Sequence, residues 1–139
     1  MSFADAIKSG FSNYANFHGR ARRSEYWFFT LFAVLVMLVA EAVLSIVKAT
    51  EVGQQSLATA LISLVILLVI LVVELGIILP LVAVAVRRLH DIDRSGWWYF
   101  LLLVPIVGTI VWLVWFCKPG TIGRNRFGDD PKSAAYAVA

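Results

Sequence analysis

The segment Arg87-Arg88-Leu89-His90-Asp91-Ile92-Asp93-Arg94-Ser95-Gly96-Trp97-Trp98 gathers the side chains with the widest choice of chemistry in this chain. His90 beside Asp91 could move a proton near neutral pH, as a general acid–base pair does. The arginines could fork onto phosphate oxygens, which guanidinium binds bidentately. A metal centre is not expected, because the spacing of His90, Asp91 and Asp93 matches no ligand pattern and the arginines oppose a cation. Catalysis lacks its nucleophile: Ser24, Ser95 and Cys117 have no elbow or triad context, so neither an enzymatic activity nor a cofactor is expected. The aspartates are expected to pair with Arg87, Arg88, Arg94 or the arginines near residue 20 and so fix how helix ends stack. Forks left over would serve lipid phosphate.

Two further carboxylates, Glu41 and Glu74, lie inside apolar runs. A charged group at mid-membrane costs roughly 2.5–3.5 kcal/mol on insertion scales, which makes each a functional candidate. Counting 1.5 Å per residue from Trp27 and from Arg87 places both roughly 20 Å from one edge, so they could share a level and a proton. Pro80 leaves the carbonyl of Gly76 unbonded one turn from Glu74. Transport of a proton or cation through an oligomer is therefore the alternative function. The plainer expectation is that Glu41 reaches the interface or pairs with Lys48, and that Glu74 stays a neutral, hydrogen-bonded acid.

The elements that carry these residues are apolar. Sixty per cent of the 139 residues are hydrophobic and 15% are charged, with a mean hydropathy of +0.84. A soluble domain this small could not bury so much apolar surface, whereas a bilayer could. The net charge of +3 suits an anionic membrane surface. Basic residues scattered among loops argue against nucleic acid. The single Cys117 excludes an internal disulfide. Ala40-Glu41-Ala42 looks like a cleavage site, but the apolar run continues to Val47, so a retained span is expected rather than a signal peptide.

The fold class expected is an all-α integral membrane bundle forming one domain over 1–139. Phe3, Ile7, Phe11, Tyr14 and Phe17 share one face of a helix over 3–18, placed in the membrane interface in preference to packing on the protein. A basic collar, His18 to Glu25 with Arg20, Arg22 and Arg23, precedes an aromatic belt from Tyr26 to Phe29. Three spans follow, over 27–47, 57–86 and 97–117. The second is long enough to tilt or kink at Pro80. A polar link from Lys48 to Ser56 separates the first two, and a tail over 118–139 closes the chain.

Topology follows from charge. Three crossings with the N-terminus inside leave seven basic residues inside and five outside. Pro105 and Gly108 allow another solution, a re-entrant hairpin with eleven basic residues inside and one outside. Three crossings are preferred, because non-helical backbone at that depth must be shielded by protein. The tail from Lys118 to Pro131, with Asn125 and Arg126, reads as tight turns and not as a phosphate loop.

Three motifs carry a resemblance: Tyr14-x-x-Phe17-x-Gly19-Arg20-x-Arg22-Arg23-x-Glu25-Tyr26-Trp27; Arg87-Arg88-Leu89-His90-Asp91-x-x-Arg94-Ser95-Gly96-Trp97-Trp98; and Gly120-x-x-Gly123-x-Asn125-Arg126-Phe127-Gly128-x-Asp130-Pro131. In this order they resemble the YhaH/YhaI-like family of small bacterial inner-membrane proteins, a family of unknown function. The resemblance covers about residues 14–131 and implies a multi-pass protein of the bacterial inner membrane, with no activity, cofactor or substrate. All three motifs end spans, so two or more are expected to converge into one cluster. The site expected to bind anionic lipid or a partner protein comprises Arg20, Arg22, Arg23, Arg87, Arg88, His90, Asp91, Arg94, Trp97, Trp98, Asn125 and Arg126. The partners this allows are anionic membrane lipid, a membrane protein partner or further copies of the chain in a homo-oligomer.

Overall fold

A computed structural model describes residues 1–51 and 56–133. The middle of the expected Lys48–Ser56 link and the end of the expected tail, 134–139, lie outside the described residues. Among the described residues the elements are all helical: α1 (Phe3–Ser12), α2 (Arg23–Glu51), α3 (Leu57–Asp91), a 3-10 segment (Gly96–Leu103) and α4 (Val107–Cys117).

Two helices are long and apolar enough to cross a membrane, α2 and α3. Their halves differ sharply in environment. The core comprises Ala21, Tyr26, Phe29, Val84, Ala85, Leu89 and Phe116, all at the end where the collar meets the close of α3. Away from it the helices show bare aliphatic surface, with Val39 64% and Val72 69% exposed. Such continuous apolar surface is what a hydrocarbon environment accommodates and water does not. The chain is an all-α membrane bundle whose packed protein core is gathered at one end.

α2 begins at Arg23, one turn before the aromatic belt, and α3 runs unbroken through Pro80 to Asp91. The 35 residues of α3 make a rod of roughly 52 Å, so its last turns extend beyond a hydrocarbon core of about 30 Å. Those turns are the buried ones, from Ala83 to Asp91.

α1 is shorter than the periodicity predicts. Ser2 and Asp5 form a capping box at its start. At its end the Asn13 side chain donates to the Ser9 carbonyl at 3.0 Å, competing with continuation of the helix. Its buried residues are Ala6 and Gly10, not the aromatics. A Cβ at Gly10 would fall 2.2 Å from the Phe29 ring, so the close crossing of α1 over α2 needs glycine there. Phe3 and Phe11 touch Phe28, Phe29 and Phe32 edge-on while staying partly exposed. The helix thus docks on the protein through small residues and keeps its aromatic flank open.

The third apolar stretch departs from expectation: it is not one continuous helix over 97–117. It folds into a hairpin of a 3-10 arm and an α-helical arm, turning at Val104–Ile106. Pro105 holds Val104 extended (φ −90°, ψ 105°), and Ile106 adopts the left-handed region at φ 65°. A Cβ at Gly108 would lie 2.0 Å from the Leu101 carbonyl oxygen, so only glycine lets the two arms touch. The objection to such a turn in an apolar setting is met within the hairpin itself. Val104, Val107, Gly108 and Ile110 donate their N–H groups to Leu101, Pro105, Val104 and Ile106. Each arm is too short to cross a bilayer; α4, with 11 residues, spans roughly 16 Å.

Candidate functional site at the arginine face

Both ends of the hairpin return to the close of α3. At one end Gly96 abuts Val86 and His90. At the other, three carbonyls at the close of α4 lack helical partners, as at any helix C-terminus. Arg88 donates to the carbonyls of Phe116 and Lys118, and Arg23 to that of Cys117 at 3.1 Å. Cations at a helix C-terminus also complement its dipole. Arginines of α2 and α3 therefore draw α4 back to the face from which the hairpin started.

Asp91 sits at the centre. Arg20 approaches its Oδ1 at 2.9 Å through Nη2 and at 3.0 Å through Nε, while Arg88 pairs with Oδ2. The Asp91 carbonyl accepts the Thr121 N–H at 2.8 Å and the Thr121 hydroxyl at 3.1 Å. Arg20 also donates to the carbonyls of Gly123 and Thr121. The side chains of Arg20, Arg88 and Asp91 are 1%, 0% and 5% exposed. Ions this deeply buried are tolerated only when paired and hydrogen-bonded, and these are, save for Arg88 Nε, which has no hydrogen-bond partner among the described residues. A second buried pair, Arg87 with Glu25 at 2.9 Å, lies beside it, and Ser9 donates to the same Glu25 oxygen at 2.9 Å. The Ala21 N–H meets the Arg87 carbonyl at 3.0 Å, locking the collar to α3.

The tail forms a cap over this frame. Asn125 donates to the His90 carbonyl at 2.8 Å and to the Thr121 hydroxyl at 2.9 Å. Asn125 and Gly128 exchange backbone hydrogen bonds, closing a tight turn. Asp130 accepts from the Lys132 and Gly123 N–H groups, and those bonds hold its carboxyl below the ordinary aspartate range. Arg22 donates to the Pro131 carbonyl at 2.8 Å. Arg126 pairs with exposed Asp93 at 3.1 Å and lies over the Phe127 ring.

All three sequence motifs thus meet in one place, whereas three crossings would bring only the first two together and leave the tail on the opposite side. Their division of labour differs from expectation. Arg20, Arg87, Arg88 and Asp91 were grouped with residues that bind lipid or a partner, yet they are buried and turned inward onto one another and onto backbone carbonyls. Arg22 is likewise committed to the tail. Arg23, Arg94 and Arg126 remain exposed on this face, Arg94 standing over the rings of Trp98 and Trp115. Glu41 and Glu74 belong to another region, on α2 and α3 beyond the core, and their carboxyls make no hydrogen bond or ion pair within the described residues.

Sequence reasoning missed Glu25 as the buried partner of Arg87, and missed Gly120 and Thr121 as the contacts that seat the tail. Gly120 could have been suspected from the Pro119-Gly120 pair alone, but its neighbour could not.

A cavity of about 520 Å³ opens beside the frame. Phe17, Trp97, Phe100 and Phe127 form its aromatic walls, and His18, His90 and Ser95 its polar edge. The His90 ring lies flat on Phe127 at 3.9 Å between centroids with 4° between planes. His90 Nδ1 is 3.1 Å from the Gly19 carbonyl oxygen. A carbonyl only accepts, so Nδ1 carries the proton and the neutral ring keeps its lone pair on Nε2. Among the described residues no group of three or more histidine, cysteine, aspartate or glutamate side chains could hold a metal ion.

Comparison with known proteins agrees with the three-motif pattern. The profile of a family described as a protein of unknown function (DUF805) matches residues 14–129. Inner membrane protein YhaI of Escherichia coli strain K12 is 42% identical over 120 residues, covering 86% of this chain and 89% of that protein. Inner membrane protein YhaH of the same strain is 38% identical over 120 residues, covering 86% and 90%. No solved structure matches.

Proposed function

The chain belongs to the DUF805 family, and from that premise we propose that it is a binding module of the bacterial inner membrane whose arginine face lies in the cytoplasm and holds anionic lipid headgroups. In this reading α2 and α3 each cross once, the Gly96–Cys117 hairpin enters and leaves on the same side, and both chain ends are cytoplasmic. The observation that carries it is the return of α4 to Asp91 through Arg88 and Thr121. In this reading eleven of the twelve lysines and arginines stand toward one face and Lys48 toward the other. An asymmetry of this size is what the positive-inside rule associates with the cytoplasmic side.

The buried ion pairs build the face, and the cations left exposed at its rim do the binding. Exposed there are Arg23, Arg94, Lys118, Arg124 and Arg126, with Lys8 exposed on α1. Each exposed cation near an anionic surface contributes about 1 kcal/mol, so several acting together hold acidic lipid against exchange. The test is the lipid retained on detergent purification. The triple variant Arg94→Gln, Arg124→Gln, Arg126→Gln should lose acidic lipid while keeping its fold. Unchanged retention in a folded triple variant overturns the lipid reading and leaves a partner protein as the occupant of the face.

A further inference from the structure

We propose that the cavity between His90 and Trp97 is a site for an amphiphile with a planar, uncharged, hydroxyl-bearing headgroup of the phenol class. The cavity is distinct from the cation rim, and the inference stands even if the rim binds nothing.

Four observations converge. The volume of about 520 Å³ lies inside the range of roughly 300–1,000 Å³ typical of small-molecule sites. The polar group in it is an oriented acceptor: Gly19 fixes the proton on Nδ1 of His90, and the Nε2 edge turns toward Gly96, another lining residue. A Cβ on Gly96 would stand 3.6 Å from that Nε2 and 2.7 Å from Val86 Cγ1, so glycine keeps this corner open. Among the described residues Nε2 makes no hydrogen bond, which leaves it available to a ligand O–H.

The walls choose the shape. His90 and Phe127 form one flat stack, and Trp97 and Phe100 lie near-parallel at 5.7 Å and 29°. Trp97 is 79% exposed and Phe100 55%, so the aromatic wall is open on the side where the apolar hairpin begins. A ring slides onto such faces in offset or edge-on stacking, and an alkyl tail continues along Phe100 and Val86. The charges exclude the alternative headgroup. Among the described residues no arginine, lysine or carboxylate lines the cavity. Arg20, Arg87 and Arg88 are committed to Asp91, Glu25 and backbone carbonyls, and Arg126, which lies over Phe127, is paired with Asp93, so an anionic head would meet no unpaired cation there.

The test uses the purified full chain in detergent, titrated with 4-nonylphenol and with its methyl ether, 4-nonylanisole. The pair shares ring and tail and differs by one O–H donor. The phenol is expected to bind roughly tenfold more tightly, the value of one well-made hydrogen bond. His90→Phe keeps the stack on Phe127 and removes the acceptor, so the phenol's advantage should vanish while the anisole's affinity holds. Trp97→Ala, at an exposed position that folding does not need, should weaken both probes. Equal binding of phenol and anisole to the unaltered chain, or an advantage that survives His90→Phe in a folded protein, overturns the proposal. Tighter binding of dodecyl phosphate than of the phenol also overturns it and assigns the cavity to an anionic amphiphile.

Discussion

Arg20 and Asp91 stand 71 residues apart in sequence and meet in a buried two-point contact, Nη2 and Nε reaching the same Oδ1 at 2.9 and 3.0 Å. Because the carboxylate's other oxygen takes Arg88, one side chain joins the collar, the close of α3 and, through both guanidiniums, the carbonyls of the tail and of α4. Removing its charge strands two buried arginines. Asp91→Asn is expected to destabilise the folded chain by about 3–5 kcal/mol, the cost of breaking a buried pair from one side. Thermal unfolding in detergent, followed by near-ultraviolet circular dichroism, reads this directly.

The second pair behaves differently. Glu25 bonds Arg87 at 2.9 Å, but Arg87 Nε and Nη2 have no hydrogen-bond partner among the described residues. Glu25→Leu alone should destabilise strongly, because it leaves Arg87 buried without its counter-charge. Adding Arg87→Met should recover much of the loss, since an apolar pair of similar volume avoids desolvation. A double-mutant cycle in chemical denaturation measures the coupling, and strictly additive losses would contradict this account.

Gly120 offers a sharper probe of tail seating. A Cβ there would fall 2.0 Å from Asp91 Oδ2, whereas none of the surroundings of Gly123 come within 4 Å of a Cβ. Gly120→Ala should therefore release the tail from Asp91 and expose the Arg124–Arg126 stretch to trypsin. Gly123→Ala meets only the strain of φ 75° and should protect that stretch better.

The hairpin makes a topological prediction that the sole cysteine can check. Cys117 is exposed, and Arg23 of the collar holds its carbonyl. In inverted membrane vesicles a membrane-impermeant maleimide should label Cys117, and in intact spheroplasts it should not. Labelling only from the periplasmic side would restore a third crossing.

Asp130 sets the pH response of the tail. Its carboxyl titrates below the ordinary value of 3.8 because the Lys132 and Gly123 N–H groups bond the charged form. A folded-state value lower than the unfolded one gives stability that is present above the unfolded value and lost as pH falls through the folded one. The tail should thus stay seated at neutral and mildly acidic pH and loosen once pH drops below 3.8. Hydrogen exchange at the Gly123 and Lys132 amides, compared with Asp130→Asn, should show the protection and its acid loss only in the unaltered chain.

Much of this was legible in the residues. The two membrane-length helices follow from apolar runs too long for a soluble core, and the meeting of the first two polar motifs follows from their places at the ends of those runs. The pairing of Arg88 with Asp91 sits at i,i+3 on one helix, a spacing that brings side chains together in any α-helix. Asp93 pairing with Arg126 and the burial of Glu25 were not legible, because each depends on a contact between distant segments.

By itself the sequence determined that this chain lives in a bilayer, because hydropathy and helix length act locally and need no knowledge of neighbours. It also placed the collar and the Arg87–Arg94 segment at one level, since both stand where an apolar run stops. Only the tertiary structure decided between one continuous helix over 97–117 and a hairpin. Pro105 and Gly108 permitted both, and the choice fell to Arg23 and Arg88 bonding the last carbonyls of α4. The same contacts decided which arginines are frame and which are surface. Burial depends on what packs above a side chain, and no pattern along the chain encodes that.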